Sequence, residues 1–250
     1  MNTKKMLTIG VLPAMWLIYI LFELFTGRIT DMQTIIFNVF LMLIFALTGY
    51  MIYFLSLKYN EGLKSSIILL LFIFFFILDQ GIKILIKLYF FEINKPIINN
   101  MLYFHPIINT NGSWLNARFG TSVSFPLLIT INILALFLFI EIYRYYHSKS
   151  KKDFWSDMCF IFVFCGALCS LIDKVFYGGS LDFIGISNLF IADIKDIYIN
   201  LGILFFVLTL FNNGYLSSDE DTSVKEDFNN LKKFLLFIKN DIRNTFKSKK

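Results

Sequence analysis

The sequence predicts an all-α membrane protein: a polytopic helical bundle of about six transmembrane helices, with a small extracytoplasmic loop region that contains strands. Two features of the composition predict this class. Of the 250 residues, 57% are hydrophobic and only 16% are charged, whereas soluble domains are about a quarter charged. The mean hydropathy is +0.66. The third observation is a series of apolar runs of the length that spans a bilayer, about 20 residues each.

Short loops that carry most of the charge separate these runs. The first run follows Lys4 and Lys5, and no small-residue cleavage site comes after it, so it is interpreted as a membrane helix rather than a signal peptide. The approximate ranges of the runs are 6–25, 34–57, 66–90, 123–143, 154–172 and 197–213.

The distribution of basic residues predicts the orientation. Most of the 23 Lys and Arg residues lie before the first run, in alternate loops and in the tail, which places both termini in the cytoplasm. The net charge of +5 therefore indicates membrane orientation, not nucleic-acid binding. The outer loops are then 26–33, 91–122 and 173–196. The basic residues that fall in or near these outer segments are Arg28, Lys83, Lys87, Lys95, Arg118, Lys174 and Lys195.

Loop composition refines this organisation. The loop 91–122 holds Pro, Asn and Gly between short β-branched or aromatic stretches, which favours a small strand pair on the membrane surface. Three regions are predicted: two extra N-terminal helices in 1–65, a four-helix core in 66–215 and a cytoplasmic tail in 216–250. The tail pattern favours a basic amphipathic helix on the inner leaflet, with a solvated, partly disordered tail as the alternative.

The residue types that usually bind metals form no recognisable pattern. Cys159, Cys165 and Cys169 all lie in one apolar run, where small residues pack between helices. His105 and His147 are predicted on opposite sides of the membrane. Neither a metal site, a histidine triad nor a cofactor is expected.

Ionisable residues near the outer membrane boundary are the strongest functional signal, because a charge in lipid is costly unless it is paired or used. Each also has a structural explanation: a neutralising Asp79–Lys83 pair, a helix end at Asp173, a solvated loop acid at Asp182, or a helix cap at Asp193. Asp79 and Lys83 are four positions apart and share a helix face.

Four segments occur in an order that resembles a known family. They are DQGIK (79–83), NTNGSW (109–114), GALCSLIDKVFYGGSLDFIGI (166–186) and LFIADI (189–194). Together they resemble the motif regions of lipoprotein signal peptidase, also called signal peptidase II, over roughly residues 66–213. This resemblance implies a bacterial cytoplasmic-membrane aspartic endopeptidase that removes the signal peptide from diacylglyceryl-modified prolipoproteins.

The resemblance also implies roles for individual residues. Asp182 and Asp193 correspond to the catalytic aspartates, near the outer face of the membrane. The positions that correspond to supporting or substrate-binding residues are Asp79, Lys83, Asn111, Gly112, Asp173 and Lys174. The implied partners are lipid-modified prolipoprotein signal peptides and membrane lipids, and a monomer is expected. Two close carboxylates divide into an acid and a base, because both cannot ionise easily. We expect a chain reversal through Gly185 to bring them together.

Three residues depart from the family pattern, which keeps other functions open. Ser170 and Phe190 stand where the family usually has Asn, and Lys174 stands where it has Arg. Arg binds through a two-pronged fork that Lys lacks. A non-cutting protein that binds a lipidated peptide or a partner helix is the alternative. A transporter is a third possibility, although its acids would be expected to cross the membrane rather than cluster at one face.

Overall fold

The computed structural model describes residues 3–111, 114–120, 123–150, 152–214 and 224–247. Within these residues, six helices are long and apolar enough to cross a membrane, which confirms the predicted class. The helices are α1 (Thr3–Phe25), α2 (Met32–Lys58), α3 (Ser65–Leu85), α4 (Trp114–Phe119), α5 (Phe125–Lys149), α6 (Phe154–Phe176), α7 (Ile194–Asn212) and α8 (Val224–Lys247). All but the short α4 and the tail helix α8 are candidate spans. A π-helical turn, Ile86–Phe90, continues α3.

Several helices extend beyond the apolar runs of the sequence. α5 continues to Lys149 and α6 to Phe176, because a helix can carry charged residues in turns that leave the hydrocarbon region. α7 begins at Ile194, earlier than its apolar run, because Asp193 caps it. The Asp193 carboxylate accepts a hydrogen bond from the Asp196 amide, and the Asp196 carboxylate accepts one from the Asp193 amide. This reciprocal capping box fixes Asp193 at the helix start.

A four-stranded antiparallel sheet joins the segment that follows α3 to the segment between α6 and α7. Its strands, in spatial order, are β1 (Lys95–Ile98), β2 (Leu102–Asn109), β3 (Ser180–Ile186) and β4 (Phe190–Ala192). The pairing of β1 with β2 confirms the predicted strand pair. β3 and β4 were not predicted, and β3 carries Asp182 opposite Ile107 of β2. The sheet therefore fixes Asp182 to a framework built by the other loop.

The predicted chain reversal through Gly185 is wrong. Gly185 lies inside β3, where an added Cβ atom would be 2.1 Å from the ring of Tyr103. The reversal follows the strand, at Ser187, whose φ of 47° is in the left-handed region. The Ser187 amide donates a hydrogen bond to the Met101 carbonyl (2.7 Å), which anchors the turn to the neighbouring hairpin.

The two N-terminal helices share a hydrophobic core with the rest of the bundle. Leu12 of α1 and Ile52 of α2 belong to the same buried cluster as Ile161 of α6 and Leu204 of α7. α1 and α2 approach closely at Gly49, where an added Cβ atom would lie 2.3 Å from the Thr8 carbonyl oxygen. Close approach at a small residue is how membrane helices gain packing contacts without a hydrophobic driving force.

The tail forms the predicted helix, α8, beyond the acidic stretch 217–221, which lies outside the described residues. Arg144 at the end of α5 forms an ion pair with Asp241 at 2.6 Å. The ring of Tyr145 contacts those of Phe234 and Phe237, with centroids 5.3 and 5.2 Å away. The contact of α8 with the inner leaflet stays a prediction.

The contact at Gly49 gives a test of the helical packing. Gly49→Ala is expected to destabilise the fold by about 1–3 kcal/mol, because the added methyl group overlaps the α1 backbone. Thermal unfolding in detergent would measure the change. Gly10→Ala in α1 is the matched control, since an added Cβ atom there meets nothing within 4 Å. Equal melting temperatures for the two variants would contradict the α1–α2 packing.

Candidate active site

A buried cluster of charged residues lies where α3, α6, β3 and the start of α7 meet. Asp79, Asp173, Asp182 and Asp193 are each at most 3% exposed, and Lys83 is 2% exposed. Unpaired charges are too costly for such a position, so each one requires a partner of opposite charge or a hydrogen bond.

Lys83 stands at the centre of this cluster. Its ammonium nitrogen lies 2.9 Å from Asp79 Oδ2, 2.8 Å from Asp173 Oδ2 and 2.7 Å from Asp193 Oδ2. The pair with Asp79 is the same-face pair that the four-residue spacing predicted. The contacts with Asp173 and Asp193 join α3 to α6 and to the start of α7. One ammonium group therefore holds together three parts of the chain that are distant in sequence.

The sheet and the helix cap bring Asp182 and Asp193 together. One carboxylate oxygen of each lies within 4.8 Å of the other. The side-chain amide of Asn109, at the end of β2, donates a hydrogen bond to Asp182 Oδ2 (2.8 Å). The hydroxyl oxygen of Ser180 lies 3.1 Å from Asp193 Oδ2 and 3.2 Å from Asp173 Oδ2. Two buried carboxylates at this distance influence each other's protonation.

The surroundings of the two aspartates push their proton affinities in opposite directions. Burial raises the pKa of Asp182 above its ordinary value, and its other contacts do not cancel this effect. Burial also acts to raise the pKa of Asp193, but the ammonium groups of Lys195 and Lys83 outweigh it and lower that pKa. The surroundings therefore favour the protonated form of Asp182 and the ionised form of Asp193.

Lys195 is a charged residue of this site that the sequence motifs do not predict, as Asn109 and Ser180 are polar ones. Its ammonium group donates hydrogen bonds to Asp193 Oδ2 and Ser180 Oγ. The same nitrogen is 3.4 Å from Asp173 Oδ2 and 3.8 Å from Asp182 Oδ1. The sequence signal was present, since Lys195 is two positions after Asp193 in a capped first turn. The sequence pattern alone places Lys195 only among the basic residues near the predicted outer helix ends.

The remaining predicted site residues are Lys174, Asn111 and Gly112, and the structure gives each a different position relative to the charged cluster. Lys174 is half-buried and donates a hydrogen bond to Ser170 Oγ at 2.5 Å, so two departures from the family pattern contact each other. Asn111 is exposed, and its backbone amide donates to Asn109 Oδ1 (3.1 Å). The amide that reaches the cluster is therefore that of Asn109. Gly112 lies outside the described residues.

Carboxylates alone do not assign a metal to this site. Asp182, Asp193 and Asp196 each offer an oxygen within 4.8 Å of the others, a spacing at which acids sometimes hold a cation. The ammonium group of Lys195 already contacts the Asp193 oxygen and provides positive charge there. We assign no metal or cofactor.

The fold and the site define a class: a multi-pass membrane protein with a close pair of buried carboxylates at one end of its helical bundle. The family described as Signal peptidase (SPase) II matches residues 70–212, which include the whole cluster. The chain belongs to the signal peptidase II family.

Two individual similarities agree with this family. The lipoprotein signal peptidase of Microcystis aeruginosa (strain NIES-843 / IAM M-2473) is 26% identical over 141 residues, which are 54% of this chain and 85% of that protein. A solved bacterial membrane enzyme shares the fold with a TM-score of 0.52 and 20% identity, over 66% of this chain and 99% of the other. The family match begins at residue 70, so α1 and α2 lie outside it.

The central role of Lys83 can be tested by removing its charge. Lys83→Met is expected to destabilise the protein by about 3–5 kcal/mol, because it leaves three buried carboxylates without their shared ammonium group. The loss would be measured as a lower unfolding temperature in detergent. Lys87→Met is the matched control, one turn later and exposed, where the ammonium group lies over the Tyr177 ring. If both variants melt at the same temperature, Lys83 does not hold the cluster together.

Proposed function

We propose that this chain is an aspartic-type endopeptidase that removes the signal peptide from diacylglyceryl-modified prolipoproteins, with Asp182 and Asp193 as its catalytic pair. The observation that carries this proposal is the approach of their carboxylates to within 4.8 Å, in a buried cluster. The membership of the chain in the signal peptidase II family supports the substrate class.

The proposed mechanism gives each carboxylate one task. Asp193, kept ionised by two ammonium groups, takes a proton from a water molecule as that water attacks the scissile carbonyl carbon. Asp182, whose pKa is raised by burial, gives its proton to the carbonyl oxygen as negative charge develops there. Asp193 then gives the proton that it took from water to the leaving amine nitrogen, the C–N bond breaks, and Asp182 takes its proton back from the hydroxyl group. Ser180 and Asn109 hold the two carboxylates in place through hydrogen bonds.

The proposed location explains why the pair lies at the boundary of the bundle. Both termini are assigned to the cytoplasm by the basic residues in alternate loops, which puts the sheet and the site near the outer face. An open apolar groove of about 660 Å³ lies between the end of α3 and the sheet. Its lining includes Ile86, Phe104 and Phe183, the residue after Asp182. Such a groove is suited to a substrate whose acyl chains stay in the bilayer.

A second candidate function is favoured by one observation. The Lys195 ammonium group contacts Asp193 Oδ2, one of the two oxygens available to the proton of the water. A protein that binds a lipidated peptide without cutting it would tolerate a lysine there, since it has no water to activate. In the catalytic proposal, the same lysine keeps Asp193 ionised, and the water approaches Asp193 Oδ1, which also accepts the hydrogen bond from the Asp196 amide.

A processing assay tests the catalytic pair. In bacterial cells that lack their own lipoprotein signal peptidase, we expect the wild-type chain to convert a diacylated prolipoprotein to its mature form. Asp182→Asn and Asp193→Asn are each expected to reduce the cleavage rate at least about a thousandfold, because an amide can neither take nor give the required proton. The shift of the lipoprotein band on a gel measures conversion.

The matched control for these variants is Asp31→Asn, which changes an aspartate that caps α2 away from the cluster. It should process the precursor as the wild type does. Normal cleavage by Asp182→Asn or Asp193→Asn would refute the pair. An uncut precursor with well-expressed wild type would instead support the binding function.

The pH dependence of cleavage separates the two roles of Lys195. For the wild type, the cleavage rate should decrease at pH values below the ordinary aspartate pKa of about 3.9, because Asp193 takes up a proton. The rate should also decrease at pH values above that ordinary pKa, because Asp182 loses its proton. Lys195→Met should move the acid limb to higher pH, because Asp193 loses an ammonium partner. Purified protein and a lipidated peptide would give the profile, with Lys87→Met as the control. Faster cleavage by Lys195→Met at every pH would show that the lysine blocks the site.

A further inference from the structure

We propose that α1 and its loop to α2 position the catalytic residues, with Glu23, Arg28 and the aromatic residues Trp16 and Tyr19 as positioning residues. This inference rests on the proposed function, since it concerns the same pair of aspartates. It assigns a role to a helix that precedes the part of the chain matched by the family.

The first contact is an apolar one between α1 and the β3–β4 turn. The ring of Phe190 packs edge-on against Tyr19 and Trp16, with centroids 5.5 and 6.0 Å apart. Leu189 is buried in the same small cluster, together with Ile20 of α1. Phe190 stands where the family resemblance expects Asn. In this chain, apolar side chains of α1 therefore pack against the segment that leads to Asp193.

The second contact fixes the backbone of the same turn. The guanidinium group of Arg28 donates hydrogen bonds to the carbonyl oxygens of Asn188 (3.0 Å) and Leu189 (2.5 Å). It also lies 3.3 Å from Glu23, which orients it. A planar guanidinium group with several donors suits this task, because it binds two carbonyls and a carboxylate at once. The turn is therefore held by its backbone as well as by Phe190.

The third contact reaches the chain segment that follows β2. Glu23 is fully buried and lies 3.5 Å from Nε of Arg118 on α4, whose guanidinium group also donates to Thr26 Oγ1 (2.8 Å). On the same short helix, the side-chain amide of Asn116 donates to the Asn111 carbonyl (2.7 Å). That segment begins at Asn109, the residue that holds Asp182. Glu23 thus connects both segments that approach the catalytic pair.

The arrangement has a physical reason beyond simple packing. A buried carboxylate in a membrane helix is costly unless it is paired. The Glu23 carboxylate lies beside two guanidinium groups, that of Arg28, which binds the β3–β4 turn, and that of Arg118 on α4. Displacement of a catalytic group by about 1 Å can slow a reaction about a hundredfold, so the anchoring of the turn affects the chemical step. Loss of these contacts should therefore lower kcat more than it raises KM.

Two substitutions test the polar contacts. Glu23→Gln removes the charge that both guanidinium groups share, and Arg28→Leu removes the contacts to the turn from a side chain that is a third exposed. Each is expected to lower kcat about tenfold or more while KM changes less than about threefold. Glu141→Gln is the matched control, because Glu141 is also a buried acid in a membrane helix but lies in α5.

A double-mutant cycle tests the apolar contact. Trp16→Ala and Phe190→Ala should each lower kcat, and the double variant should lower it no further than the more damaging single change. Fully additive effects would mean that the two rings act independently. Ile18→Ala is the matched control on α1, since Ile18 is 68% exposed.

Hydrogen exchange of residues 187–192 gives a readout that does not depend on cleavage. The amides of this turn should exchange faster in Glu23→Gln and Arg28→Leu than in the wild type or in Glu141→Gln. If the wild type does not cut, the proposed function fails, and the exchange rates alone decide the positioning role. Unchanged kcat together with unchanged exchange in both variants would overturn the inference, even in an active enzyme.

Discussion

The interaction on which the rest of the structure depends is the contact of one ammonium group, that of Lys83, with Asp79, Asp173 and Asp193. In a chain this apolar, these four buried charges are stable only because each one contacts a group of opposite charge. Because its members come from α3, α6 and the start of α7, the set fixes how these helices meet. The same contact that pays for burial also places Asp193 beside Asp182.

The balance of charge in the cluster gives the two aspartates different chemistry. Asp193 faces two ammonium groups, whereas Asp182 has an amide donor and a single ammonium group at 3.8 Å. Water activation by a carboxylate pair needs this asymmetry, since identical environments would not define which group is the base. Lys195 strengthens the asymmetry from within the first turn of α7. A residue outside the motif pattern therefore contributes to the difference between the two aspartates.

The departures from the family pattern have local counterparts in the structure. Lys174 and Ser170 are neighbours on one face of α6 and bind each other. Phe190 has lost the polar character expected at its position, and it packs against α1 instead. The departure at Lys174 and Ser170 is therefore a polar contact within α6, and the departure at Phe190 is an apolar contact with α1. The N-terminal part of the chain thus contacts the segment before Asp193, through α1 against Phe190 and through Arg28 at the Leu189 carbonyl, although the family match does not include α1 and α2.

The sequence by itself determined the class of fold, because apolar runs of spanning length permit few structures other than membrane helices. It also indicated the ordered acids of the site, since charged residues stand out in a chain this apolar. It did not indicate β3 and β4, whose short runs have no distinctive alternation, or the reversal at Ser187. Only the tertiary structure decided that Lys195 meets Asp193 and that Arg28 meets the β3–β4 turn. These contacts depend on how helices and loops far apart in sequence pack together, and local patterns carry no information about that packing.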